Sequence, residues 1–185
     1  DETTDEWTAQ FFPTGTTRAA STDFFPDYRA PCLRTPAPLT ELTGPELRTV
    51  GDVTSAGRRK LTLKLGSPDH PTAFEVRLLS DTEVFSAAVF DQPVNGAQHG
   101  WQLDFKTFPH AGVTLTLEVA ASAPVQLKLM SMHYRLPEFA EIRPRPAQFI
   151  CEPNTVKHNG SLRSDQILVT RTFDLPPPVA GAAGN

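Results

Sequence analysis

The residues best suited to metal binding or proton transfer are five histidines, and their spacing matches no zinc motif. They are His70, His99, His110, His133 and His158. Zinc sites usually use a close pair such as His-x-His, or a helical pair flanked by Glu, and the sequence has neither. Solvated or packed imidazoles are therefore favoured, with a metal site assembled from separate strands as the alternative.

The acidic and nucleophilic residues also lack an arrangement typical of catalysis. A serine hydrolase would need a Gly-x-Ser-x-Gly turn, which is absent. Cys151 and His158 are separated by loop residues that place neither of them. Asp91 and Asp104 could form the carboxylate pair of a glycoside hydrolase, but exposed acids on the wet face of a sheet are the favoured interpretation. We predict that this chain is not itself an enzyme and holds no cofactor.

Three aromatic residues could form a platform for a ligand such as a sugar ring. They are Trp101, Phe105 and Phe108. Trp101 shares the alternating phase of Leu103 and Phe105, so a position in the core is the favoured alternative.

The two cysteines, Cys32 and Cys151, both lie in irregular segments marked by proline. A disulfide between them would close a long loop and stabilise the fold by about 4 kcal/mol on the chain-entropy model. The alternative is two separate thiols that pack as small apolar residues.

Composition and charge exclude some partners. The 185-residue chain has a net charge of -4 and no basic stripe, so a nucleic acid is not an expected partner. It begins with Asp1 and contains no signal peptide or transmembrane run. We expect it to be either a processed product or a piece of a longer protein, and the second is favoured.

Alternation of apolar and polar residues predicts the fold class. Side chains of a strand point to opposite faces with period 2, and such runs recur from Arg59 to Tyr134 at spacings of about ten residues. The sequence predicts an antiparallel, jelly-roll-like β-sandwich of about 8 strands with an irregular N-terminal arm. The predicted strands are Leu47–Val53, Arg59–Gly66, Ala73–Ser80, Glu83–Asp91, Gly100–Thr107, Val113–Ala121, Val125–Tyr134 and Gln166–Leu175.

Three regions are expected along the chain. Residues 1–46 form an arm, rich in aromatics and proline, that packs on the body; residues 47–175 form the sandwich; and residues 176–185 form a flexible tail. The short gaps at Ser80–Thr82 and Ala121–Pro124 indicate hairpins. The Val84–Phe90 run is apolar in both phases, which predicts a central strand covered on both faces. A phase change between Leu129 and Met130 suggests a β-bulge.

Several of these runs also resemble a known family. The residues that carry the resemblance are Arg59-x-Leu-x-Leu-x-Leu-x-Ser67-Pro68, Glu83-Val84, Ala87-Ala88-Val89, Trp101-x-Leu-x-Phe105, Pro109, Gly112-Val-x-Leu-x-Leu-x-Val119, Pro124-Val-x-Leu127, Tyr134-x-Leu-Pro137, Arg143-Pro-Arg-Pro146, Ser164-Asp-Gln-Ile-Leu-Val-Thr-Arg-Thr-Phe173 and, more faintly, Trp7–Phe12. Together they resemble the C-terminal extracytoplasmic domain of the bacterial membrane-embedded zinc aminopeptidases of metallopeptidase family twenty-eight (clan MH), whose eukaryotic relatives are the vacuolar and endoplasmic-reticulum membrane metallopeptidases.

The resemblance implies a non-catalytic accessory domain of a membrane-anchored zinc exopeptidase, on the periplasmic or extracellular side. Its role could be to select substrates, to cover the active site or to dock a partner. The implied partners are the parent's peptidase and transmembrane domains, and a peptide substrate. Zinc is implied for the parent only, because this chain has no His-x-Asp and no adjacent glutamates. The alternative is a carbohydrate- or protein-binding β-sandwich module.

Overall fold

A computed structural model gives the structure of the protein. It describes residues 5–22, 24, 29, 31–39, 41–96, 99–135, 139, 142–148, 155–156, 162–163 and 166–178. The chain divides into two compact units. The first comprises Asp1–Glu41 with Tyr134–Ile167, and the second comprises Leu42–His133 with Leu168–Asn185. The boundaries expected from the sequence, and the packing of residues 1–46 on the body, stay predictions.

All but one of the regular elements in the described residues are β-strands. In order they are α1 (Glu6–Ala9), β1 (Thr17–Ala20), β2 (Pro31–Arg34), β3 (Glu46–Ser55), β4 (Arg58–Gly66), β5 (Ala73–Leu78), β6 (Ser86–Val89), β7 (Gln92–Val94), β8 (Gln102–Phe105), β9 (Val113–Ala120), β10 (Val125–His133), β11 (Thr155–Val156), β12 (Leu162–Arg163) and β13 (Ile167–Leu175).

The first unit contains one helical turn and two short antiparallel hairpins. The turn is α1, and the Asp5 carboxylate caps its start by accepting hydrogen bonds from the backbone N–H groups of Trp7 and Thr8. The pairs β1–β2 and β11–β12 form the hairpins.

The second unit contains an antiparallel β-sandwich, which confirms the predicted fold class. One sheet has the strand order β3-β4-β9-β6-β7, and the other has the order β13-β10-β5-β8. Within the part of the chain that the structure describes, β3 and β13 are therefore edge strands, each with one side unpaired.

Alternating side chains build the core of the sandwich. On β4, Leu61, Leu63 and Leu65 are fully buried, and each lies directly opposite an apolar residue of β9. Burying one such side chain stabilises the fold by about 1.5–3 kcal/mol. Further core residues are Phe74, Val76, Leu78, Val84, Ala87, Trp101, Phe108, Val113, Leu115, Leu117, Val119, Val125, Leu127 and Leu129.

Two predicted hairpins are instead connections between the sheets. Ser80–Thr82 follows β5 of one sheet and leads towards β6 of the other, and Ala121–Pro124 joins β9 to β10 in the same way. The two connections meet, because the Thr82 hydroxyl donates to the Pro124 carbonyl at 2.7 Å. A gap of a few residues can form a hairpin within one sheet or a crossing to the other sheet. Here the chain crosses, which places the apolar faces of the connected strands in opposite sheets, where they are buried against each other.

The Val84–Phe90 run, predicted as a central strand covered on both faces, forms β6, which is paired on both sides but is not covered on both faces. A turn at Phe90 and Asp91, which both have positive φ, separates β6 from β7, and it leaves Phe90 51% exposed. Pro93 lies on the outermost strand, where a missing N–H is tolerated. The predicted β-bulge is also wrong for the β10–β5 pairing, which continues unbroken past Met130.

A buried arginine joins the two edge strands at one end of the core. Arg59 is 3% exposed. Its guanidinium donates to both Asp52 carboxylate oxygens, at 2.9 and 2.8 Å, and to the Leu175 carbonyl at 3.1 Å. One side chain of β4 thus binds β3 of its own sheet and β13 of the other. These bonds hold the pKa of Asp52 below its ordinary value.

We predict that Asp52→Asn destabilises the protein by about 1–3 kcal/mol, because a buried guanidinium loses its counter-charge. A lowered pKa adds stability above the ordinary carboxyl pKa, and this stability is lost as the pH falls through the lowered value. Urea unfolding should therefore show a gap between wild type and variant that is full at pH 7 and closes in acid. The control is Asp81→Asn, whose carboxylate is 99% exposed. Equal effects of the two substitutions would contradict the prediction.

Candidate functional site

A concave surface lies in the second unit, between the edge strands β3 and β13. It has a volume of about 540 Å³, within the range of ordinary ligand pockets. Gly44, just before β3, lies against Val169 of β13, so the two edges approach each other beside the opening. We call this surface the basic groove and define it by its ionisable residues Arg48, Lys64, His70, His110 and Arg171, with Glu46 as its one acidic lining residue.

Two tight turns close one end of the basic groove. In the first, after β4, the His70 N–H donates to the Ser67 carbonyl at 3.2 Å. In the second, before β9, the Gly112 N–H donates to the Pro109 carbonyl at 2.9 Å. The turns are neighbours because Leu65 lies opposite Val113 in the β4–β9 pairing.

These turns bring together two histidines that are remote in the sequence. The ring centroids of His70 and His110 are 4.2 Å apart, with the planes tilted by 36°. His70 has a φ of 49°, a left-handed conformation that directs the chain out of its turn. No local sequence pattern links these two histidines, and only the geometry of the two turns pairs them.

Three basic side chains, those of Arg48, Lys64 and Arg171, line the basic groove together with the histidine pair. Arg48 lies directly opposite Lys64 across the β3–β4 pairing, and like charges in that position repel each other. Arg171 comes from the other sheet, with its guanidinium 5.3 Å from the ring centre of Phe173. None of these three makes an ion pair with any residue that the structure describes.

Uncharged groups complete the lining. Leu47 and Phe173 are partly buried against the core and offer an apolar surface between the charged groups. Ser67 is 8% exposed, and its hydroxyl has no hydrogen-bond partner among the described residues. The arrangement is suited to holding an anionic group beside an apolar one.

A second ionisable cluster lies on one face of the other sheet. Glu75 is 8% exposed, and it lies opposite Asp104 of β8. Burial raises its pKa, while the Arg77 guanidinium, 3.0 Å from its carboxylate, opposes the shift. The Glu75 carboxylate is paired with the Arg77 guanidinium of the same strand, so these two charges are compensated within the fold without a ligand.

The three candidate platform aromatics lie in or against the core. Trp101 is fully buried, and its indole N–H donates to the Asn95 carbonyl at 2.5 Å. Phe108 is 6% exposed and stacks on Phe74 at 4.2 Å. Phe105 packs at the edge of the same pair. The core interpretation accounts for all three.

Other candidate residues do not come together. Cys32 has a free thiol that donates to the Ala19 carbonyl at 3.2 Å, and Cys151 and His158 lie outside the described residues, so the disulfide stays a prediction. His99 is exposed, 3.5 Å from Asp81. Asp91 lies in the β6–β7 turn, whereas Asp104 lies on β8 of the other sheet.

A proline-rich segment is held within the first unit. The Trp7 indole N–H donates to the Arg143 carbonyl at 3.0 Å, and the Arg143 N–H donates to Gln10 at 2.8 Å. The Arg145 guanidinium lies 4.4 Å from the centre of the Trp7 ring, in the geometry of a cation–π contact. The helical turn α1 therefore binds the Arg143–Pro146 segment, two stretches that both carry the family resemblance.

We predict that Gly112→Ala destabilises the protein by several kcal/mol and opens the end of the basic groove. Gly112 has a φ of 71°, and a Cβ there would collide with the Leu65 carbonyl oxygen. The matched control is Gly57→Ala, because Gly57 has a φ of 75° but open space around the added Cβ. The control should cost only about 1 kcal/mol, from the left-handed backbone alone. Equal shifts in the thermal midpoint would show that the collision is relieved.

We also predict that the free energy of unfolding of Glu75→Gln rises relative to that of the wild type as the pH rises. A carboxyl whose pKa is raised in the native state contributes stability below its ordinary pKa, and this contribution is lost as the pH rises through the raised value. The variant lacks this titration. Urea unfolding of both proteins between about pH 4 and pH 7 measures the difference, and a difference independent of pH would contradict the prediction.

Comparison of the chain with protein-family models, curated proteins and solved structures finds no match. Within the described ranges, no three His, Cys, Asp or Glu side chains are grouped to hold a metal ion. No helix in that part of the chain has the length and hydropathy needed to cross a membrane.

Proposed function

We propose that this chain is a non-catalytic accessory domain of a membrane-anchored zinc-dependent exopeptidase, displayed on the extracytoplasmic side, and that it recognises a ligand of the parent enzyme. The observation that carries the recognition role is the basic groove. Its cationic side chains, imidazoles and apolar lining can bind an anionic ligand that also has an apolar part. The groove lies between two strand edges, and such edges can pair with the backbone of an added strand.

The link to an exopeptidase is supported by the residues that resemble that family. Two stretches of the resemblance, Trp7–Phe12 and Arg143–Pro146, are remote in sequence and in contact within the first unit. The run from Gly112 to Val119 supplies one of the turns of the basic groove and the strand that follows it. The resembling residues therefore include positions around the candidate site.

The division of labour expected in such an enzyme follows from its chemistry. The zinc would be held by the peptidase domain, where it would activate a water molecule for attack on the peptide bond, and no residue of this chain is assigned to it. An accessory domain then contributes by holding the substrate or a partner near that site, which raises its local concentration without taking part in bond cleavage.

We predict that an antibody against this chain detects a band much larger than 20.3 kDa in the membrane fraction of the source cells. Immunoblotting of separated membrane and soluble fractions is the measurement. Purified alone, the chain should bind no stoichiometric zinc and cleave no aminoacyl amide, as judged by metal analysis and an aminopeptidase assay.

A soluble band at the size of this chain would overturn the exopeptidase proposal and favour a self-contained binding module. Stoichiometric zinc or peptidase activity in the isolated chain would contradict its non-catalytic role.

A further inference from the structure

We infer that the basic groove binds an extended acidic peptide, which lies along the first half of β3 with its carboxylates directed to Arg48, Lys64 and Arg171. The inference deepens the proposed function, and it depends on that function only for the choice of a peptide as the ligand.

Charge complementarity identifies the sign of the ligand. The chain carries a net charge of -4, yet the groove is lined by three permanent cations and one acid, Glu46. Arg48 and Lys64 face each other with no described anion between them. A carboxylate placed between two such cations converts their repulsion into two charge-assisted hydrogen bonds.

The strand edge identifies the form of the ligand. Among the described residues β3 is paired only with β4, so its other side offers backbone N–H and C=O groups to an added strand. A register shift between Thr49 and Gly51 interrupts the regular edge. The regular half of the strand, before that shift, contains the residues that line the groove, Glu46 to Arg48.

The remaining lining fits the peptide's other groups. Leu47 and Phe173 offer an apolar surface for one side chain between the carboxylates. The buried Ser67 hydroxyl has no hydrogen-bond partner among the described residues. It can donate to a carboxylate or a carbonyl of the peptide after a small movement of the side chains around it. His70 and His110 add donors at the turn end, because a neutral imidazole carries one N–H and a charged one carries two.

Fluorescence anisotropy of the purified chain with a labelled hexapeptide containing three glutamates tests the inference. The control peptide replaces the glutamates with glutamines. The acidic peptide should bind, and its affinity should fall as salt is added, because exposed charges are screened. The glutamine peptide should bind about tenfold more weakly or worse, since each lost charge-assisted bond removes a large part of the affinity.

A matched pair of variants locates the site. Lys64→Gln removes a groove cation, and Lys60→Gln removes the same charge from the same face of the same strand, outside the groove. Lys64→Gln should weaken binding about tenfold, and Lys60→Gln should leave it nearly unchanged. Arg171→Gln, which alters the opposite sheet, should act like Lys64→Gln.

Three results would overturn the inference. These are no binding at about 1 mM peptide, equal effects of Lys64→Gln and Lys60→Gln, or displacement of the peptide by inorganic phosphate at an equal affinity, which would indicate a simple oxyanion site. Membrane fractionation judges the exopeptidase proposal separately, so a failure of one is distinguishable from a failure of the other.

Discussion

The two sheets of the second unit depend on one buried guanidinium. Arg59 occupies the core-facing row of β4, where its neighbours in phase are leucines, and it is held by Asp52 of β3 and the Leu175 carbonyl of β13. A charge in that position is tolerated only when it is paired and fully hydrogen-bonded. Its partners come from both edge strands, so its hydrogen bonds fix the separation of those edges at one end of the sandwich. The basic groove lies between the same two strands, towards the other end.

The period-2 alternation of single strands made most of the sandwich predictable. Leu61, Leu63 and Leu65 indicated β4 because a half-buried strand must keep one apolar face. The same local pattern does not determine which sheet a strand joins. The short connections at Ser80–Thr82 and Ala121–Pro124 therefore fit a hairpin in one sheet as well as a crossing between the two sheets. Met130 shows the other limit, since it is buried on the face opposite Leu129. Burial of both faces imitates a phase change, and only the pairing register distinguishes it from a bulge.

The basic groove could not be found from local patterns, because four separate stretches of chain supply it. Arg48, Lys64, the two turns and Arg171 converge only after the strands have been ordered. One signal was available in the sequence. Ser67-Pro-Asp-His70 and Pro109-His-Ala-Gly112 are both short turns that carry a histidine next to a strand predicted to be buried. Their adjacency requires β4 and β9 to be neighbours, which alternation alone does not specify.

Strand β4 contributes to the core with one face and to the basic groove with the other. Within β4, the odd positions fill the core, while Lys64 on the even row faces a like charge on β3. The like-charged pair gives no stability to the isolated fold, whereas an anion bound beside it would be stabilised by both charges. Sequences that are consistent at every level tend to break local rules where they bind something. The like-charged pair, the left-handed His70 and the unpartnered Ser67 hydroxyl break three such rules within one groove, and this coincidence makes the groove a stronger candidate than the well-satisfied cluster around Glu75.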